Sequence, residues 1–155
     1  MRKILVWSAA VIMVVAAVLA SKRCWAISEA QKFTEHGADQ MEKKQYDQAI
    51  ASFKKAIQAD PNSEVTYNLL GMAYRHKYNQ VQTQDLKNQE IAAFQKAVEI
   101  APNSWVALIN LGVTYYYMGE KDKAAPLFKK ALSLNPDHPQ KAQLEKMIQE
   151  GGQKP

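Results

Sequence analysis

A glycine in the middle of a helix needs a reason, and this chain supplies the same one three times. Gly37 is followed by Ala49, Phe53, Ala56 and Pro61, and Gly112 by Ala124, Phe128, Ala131 and Pro136 at identical offsets. Gly71 repeats the set with Phe94, Ala97 and Pro102, after seven additional residues. The glycines therefore stand 34 and 41 residues apart. Around the first, Phe33, Gly37 and Met41 recur at i, i+4 and i+8, the spacing of one face of an α-helix. Glycine there costs about 1 kcal/mol relative to alanine, which is offset if a second helix must approach closely. Ala49 and Ala56 keep that second helix small, and Phe53 fills the space between them. Asp60-Pro61-Asn62 then ends it, because the residue before a proline is pushed out of helical geometry. Each period is a pair of antiparallel helices, and a chain of such pairs is all-α and quasi-one-dimensional.

The first 26 residues have a different character. Ile4 to Ala20 is an uncharged run flanked by Arg2 and Lys3 before it and Lys22 and Arg23 after it. Its 17 residues are long for the apolar part of a signal peptide and at the lower limit for a membrane span. Cleavage before Ser21 or before Ile27 competes with an uncleaved anchor, which Lys22 and Arg23 favour. Cys24 follows Ser-Lys-Arg, unlike the apolar-small sequence that precedes a lipidated cysteine. The segment resembles bacterial export signals. That resemblance implies that the remainder lies in the cell envelope, on the periplasmic or extracytoplasmic side, membrane-anchored or secreted; a cytoplasmic domain on a reversed anchor is the alternative.

Charge and inventory narrow the function. Residues 27–155 carry 16 positive and 15 negative side chains, so the basic excess sits beside the apolar run. A nucleic-acid-binding domain needs a basic stripe on its folded part, and none is expected here. One cysteine excludes an intrachain disulfide. His36, His76 and His138 lie far apart, without metal-ligand spacing. No glycine-rich phosphate loop, zinc helix motif or nucleophile elbow occurs. The expectation is a protein that is not an enzyme and needs no cofactor.

The recurring glycine, alanine, phenylalanine and proline positions resemble the tetratricopeptide repeat family over residues 30–138. The resemblance implies an α-solenoid of three helical hairpins (30–63, 64–104 with an insertion, and 105–138). A capping helix at 139–150 and a disordered tail at 151–155 follow, and the N-terminal hydrophobic helix precedes them. The seven extra residues lie between Tyr74 and Phe94, as a loop at one edge or as about one more turn on each helix. Glu90 stands where alanine opens the second helix of the other repeats, so packing at that corner is expected to differ.

In that family the first helices of successive hairpins line a concave groove that binds peptides or partner helices. Carried onto this chain, the groove positions best suited to contact are Met41, Asn68, Met72, Arg75, Val106, Asn110, Val113, Tyr116 and Tyr117. One branch grips a C-terminal carboxylate with lysine, asparagine and arginine. Here Thr34, Ala38 and Val106 occupy three of those places, and Arg75 is the only strong cation of the groove. The resemblance therefore points to an apolar or aromatic partner segment oriented by Asn68, Asn110 and Arg75. The implied role is a protein–protein interaction scaffold of the envelope, assisting complex assembly. A structural spacer or self-associating array is the alternative.

Overall fold

The computed structural model describes residues 2–152, with side chains from Met13 onward. Seven α-helices follow one another: α1 (Arg2–Glu42), α2 (Tyr46–Ala59), α3 (Glu64–Val81), α4 (Gln84–Ile100), α5 (Trp105–Tyr117), α6 (Lys121–Leu134) and α7 (Lys141–Gly152). They pack as hairpins α1/α2, α3/α4 and α5/α6, each hairpin stacks on the next, and α7 covers α6. This is an all-α solenoid.

The hairpins close on the residues whose spacing recurs. Phe53, Phe94 and Phe128 are fully buried. A Cβ added to Gly37, Gly71 or Gly112 would lie 2.5, 2.6 and 2.6 Å from Cε1 of the phenylalanine opposite. Each ring thus occupies the space a side chain would fill, and the alanines beside it let the helices approach. Ser63 and Ser104 open α3 and α5, each accepting a hydrogen bond from the backbone N–H three residues on. Their hydroxyls satisfy one of the donors that every helix start leaves free. Within the hairpins each turn uses one left-handed residue: Lys44, Gln82 and Gly119. Only the last is the glycine for which that conformation carries no steric cost.

The insertion is not a loop. Relative to the third hairpin, α3 is five residues longer than α5, α4 is three longer than α6, and the turn is one shorter. Gln82 and Thr83 alone connect the two helices. The polar, glutamine-rich stretch is helical because it contains neither proline nor glycine, and its residue types suit exposed helix faces.

Both ends of the array carry a further finding. The chain has no joint between its N-terminal segment and the array: α1 runs without interruption through Ile27 and Ser28. No proline or glycine occurs before Gly37 to break it. Side chains from Ala30 onward enter the core, whereas Met13, Val14, Val15, Val18, Leu19, Trp25 and Ile27 are exposed. The signal or anchor segment lies partly outside the residues whose side chains are described. Among the described residues, no helix is long and apolar enough to cross a membrane. At the other end, Gly151 and Gly152 belong to α7 instead of a disordered tail. A Cβ on Gly151 would collide with the Lys121 carbonyl, so the absent side chain lets α7 reach the start of α6. Residues 153–155 of the expected tail lie outside the described residues.

Replacing Gly71 by alanine should lower stability by about 1–3 kcal/mol, the cost of overfilling a packed core. Adding Phe94→Leu should restore part of it, and urea unfolding of the double-mutant cycle measures the coupling.

Candidate functional site

The first helices of the hairpins are tied side by side by polar contacts. The Thr34 and Thr66 hydroxyls are 3.1 Å apart, joining α1 to α3. Ser104 donates to the Glu64 carboxylate at 2.8 Å, and the Asn110 side-chain amide donates to Oδ1 of Asn68 at 3.4 Å, joining α3 to α5.

This arrangement divides the nine groove candidates. Asn68 is buried, and its amide also donates to Glu64. Asn110 is half-buried. Both amides are thus engaged inside the protein. Met41 and Val113 are half-buried and lie against the two apolar clusters of the core. Met72 is also half-buried. Tyr116 is half-buried as well, and its hydroxyl donates to Glu150 of α7. Lys121 lies 5.0 Å over its ring. Val106 and Tyr117, near opposite ends of α5, are open to solvent, Tyr117 to 75%.

Arg75 is not a free groove cation. Its Nε donates to Oε1 of Glu90 at 2.8 Å, and Nη2 donates to the Asn110 carbonyl and the Thr114 hydroxyl, each at 2.8 Å. Its guanidinium sits 4.7 Å from the centre of the Phe94 ring. Glu90 is wholly buried. It also accepts from the Thr114 hydroxyl at 2.8 Å and from Lys87 Nζ at 2.6 Å. A buried carboxylate is tolerable only with such saturation. Lys87 lies 4.0 Å over the Tyr78 ring.

Above this cluster opens a cavity of about 590 Å³. Arg75, Tyr78 and Asn79 of α3, Gln84, Lys87 and Glu90 of α4, and Val113, Thr114 and Tyr117 of α5 line it, with Met118 at its edge. Three of the nine groove candidates, Arg75, Val113 and Tyr117, therefore meet in one place. Glu90, Lys87 and Thr114 were not among the candidates. Glu90 had a visible signal, because it replaces the alanine found at Ala49 and Ala124. Lys87 and Thr114 had none, since their roles depend on where the lengthened helices place them.

A second polar cluster fastens α7. Glu150 accepts from Tyr116 and, at 2.9 Å, from Lys121. The hydrogen bond from Tyr116, followed by that from Lys121, holds the Glu150 carboxyl below its ordinary range. Its bond to Glu150 raises the Tyr116 phenol, and the same carboxylate raises Lys121. The cluster lies at the surface, where salt and water screen it.

Comparison with known proteins agrees with this geometry. The tetratricopeptide repeat model matches residues 105–138, and a TPR repeat model matches residues 37–76. Both stretches match the repeat pattern of that family. Among curated proteins, none matches the chain in sequence. The first TPR of Spaghetti (RPAP3) bound to the HSP90 peptide SRMEEVD superposes with a TM-score of 0.69 at 20% identity, covering 80% of this chain and 94% of that one. The Arabidopsis OM64 TPR domain gives 0.70 at 19% identity, covering 81% and 98%. MamA protein gives 0.66 at 29% identity, covering 79% of this chain and 63% of its own. The first two likenesses bear on the fold alone. Tetratricopeptide repeats typically mediate protein–protein interaction.

Arg75→Met should cost about 3 kcal/mol by leaving Glu90 short of a partner in the interior. Arg75→Met combined with Glu90→Ala, which recreates the alanine of the sister repeats, should recover most of it in thermal or urea unfolding. Acid should loosen α7 first. Glu150 has a depressed folded pKa, so its contribution is full above the ordinary carboxylate value and lost as pH falls through the folded one. Tyr116 and Lys121 have raised folded pKa values. Their contributions are full below the ordinary values and are lost as alkaline pH passes the folded ones. Hydrogen exchange at Leu144 and Met147 should accelerate below the carboxylate range while that at Phe53 and Ala56 does not, and Glu150→Gln should abolish the difference.

Proposed function

We propose that this chain is a protein-interaction scaffold of the bacterial cell envelope that holds a partner polypeptide in the concave groove and assists assembly of a larger complex. The observation that carries the reading is the exposed apolar and aromatic side chains of α5, Val106 and Tyr117, with Trp105 beside the first of them. Large rigid side chains of this kind carry much of the affinity of protein interfaces. Half-buried Met72 and Val113 extend the apolar character between them. The peptide held by the similar Spaghetti (RPAP3) domain supports a peptide or protein as the class of ligand.

The partner differs from a chaperone tail gripped by its carboxylate in the groove centre, because Thr34, Ala38 and Val106 supply no cation there. An apolar or aromatic segment suits the surface better. The N-terminal run supports attachment to the envelope membrane. Its described side chains are apolar and exposed at three consecutive positions, Met13, Val14 and Val15, and therefore on several sides of the helix. A lipid phase surrounds a helix in that way, whereas a single partner covers one face. Lys22 and Arg23 mark the point where the apolar character ends.

Photocrosslinkers placed at Val106 and Tyr117 should capture a partner from envelope extract, whereas Lys54 and Lys129 should not. Capture only from the latter pair would refute the groove reading. Crosslinks to a second copy of the chain would mark a self-associating array, and Tyr117→Ala without effect on recovery would mark a spacer. For a bound segment, Tyr117→Ala should weaken binding by about tenfold or more.

A further inference from the structure

We propose that the corner cavity receives a carboxylate from the partner polypeptide, one set among apolar neighbours; this deepens the groove reading and rests on it. The cavity is a product of the insertion: Tyr78, Asn79, Gln84, Lys87 and Glu90 all fall between Tyr74 and Phe94, where the sister repeats are seven residues shorter. It is distinct from the groove positions of Thr34, Ala38 and Val106.

Its charge is unbalanced. Arg75 and Lys87 face one carboxylate, and that carboxylate is already saturated on both oxygens. Arg75 uses Nε and Nη2 for the protein, and Nη1 makes none of these bonds. Lys87 gives Glu90 one of its three donors. Both cations remain partly open, their side chains 24% and 15% exposed. The Phe94 and Tyr78 rings lie against them and hold them in place. A cation restrained in advance, in a partly water-excluded recess, binds an anion with less loss of freedom than a mobile surface lysine. Tyr117 and Met118 form an exposed apolar rim beside these donors.

The cluster is a poor device for holding helices together. The first and third hairpins close with Ala49 and Ala124 at the place of Glu90, and apolar groups usually stabilise as well as a buried ion pair does. What Glu90 adds is orientation of two cations toward the cavity, which makes it a positioning residue.

The full chain in detergent micelles, labelled with ¹³C at the methionine methyls, tests this. Met118 reports the cavity, Met72 the groove on α3 and Met147 the core. The probes are N-acetyl-Leu-Phe as the free acid, the same dipeptide as its amide, and N-acetyl-Phe-Asp amide. Met118 should shift saturably with at least one acid, and about tenfold less tightly with the Leu-Phe amide, the loss expected for one charge-assisted hydrogen bond. A response to the Asp probe identifies an internal acidic residue as the source; a response to the free acid alone identifies a chain end. Lys87→Gln, which leaves Glu90 bonded to Arg75 and Thr114, should abolish the preference for acid over amide while Met147 stays in place. Equal response to acid and amide, no response at Met118, or a preference that survives Lys87→Gln overturns the proposal. Crosslinking from Val106 reads the groove independently, so failure of the corner alone leaves partner capture intact.

Discussion

A phenylalanine ring seated against a glycine is the contact on which this fold depends. It recurs in each hairpin, between Gly37 and Phe53, Gly71 and Phe94, and Gly112 and Phe128. Each pair permits a close approach that no other residue at the glycine position allows. The surrounding alanines follow from that approach, since larger side chains would force the helices apart. Without disulfides or metal clusters among the described residues, the solenoid rests on this packing and on stacking between neighbours. Its terminal flank is covered by α7, whose own approach uses a glycine in the same way, Gly151 against the carbonyl of Lys121.

Repetition also locates the exceptional region. Two hairpins use alanine where the second uses Glu90, and the same hairpin is lengthened by seven residues. The two departures meet at one corner, where a buried carboxylate gathers Arg75, Lys87 and Thr114 beneath a cavity. A helix lengthened by a turn carries side chains beyond the end of its neighbours, and the space between those ends and α5 becomes a recess. Lengthening the helices and creating the cavity are thus one structural event.

The number and order of the hairpins were legible in the sequence because close-packing leaves a residue-type signature at fixed intervals. Groove chemistry was less legible. Asn68, Asn110 and Arg75 stand at positions facing the groove, yet each is drawn into bonds between α3 and α5 that no spacing along one helix reveals. Tyr116 and Tyr117 are neighbours in sequence, but only one can reach α7. The hydroxyl of Tyr116 goes to Glu150, and Tyr117 remains in solvent. Glu90 was visible as an anomaly without showing what it would bind.

The sequence by itself determined the all-α hairpin array, because helix period, small residues and helix stops act over a few turns of local chain. Tertiary structure decided which polar side chains are spent internally, because hydrogen bonds between α3 and α5 join residues some 40 positions apart. It also decided that the insertion is helical and that α1 continues without a joint into the array. Those outcomes depend on how far each helix finds a neighbour or solvent to satisfy it, which the order of residues records only indirectly.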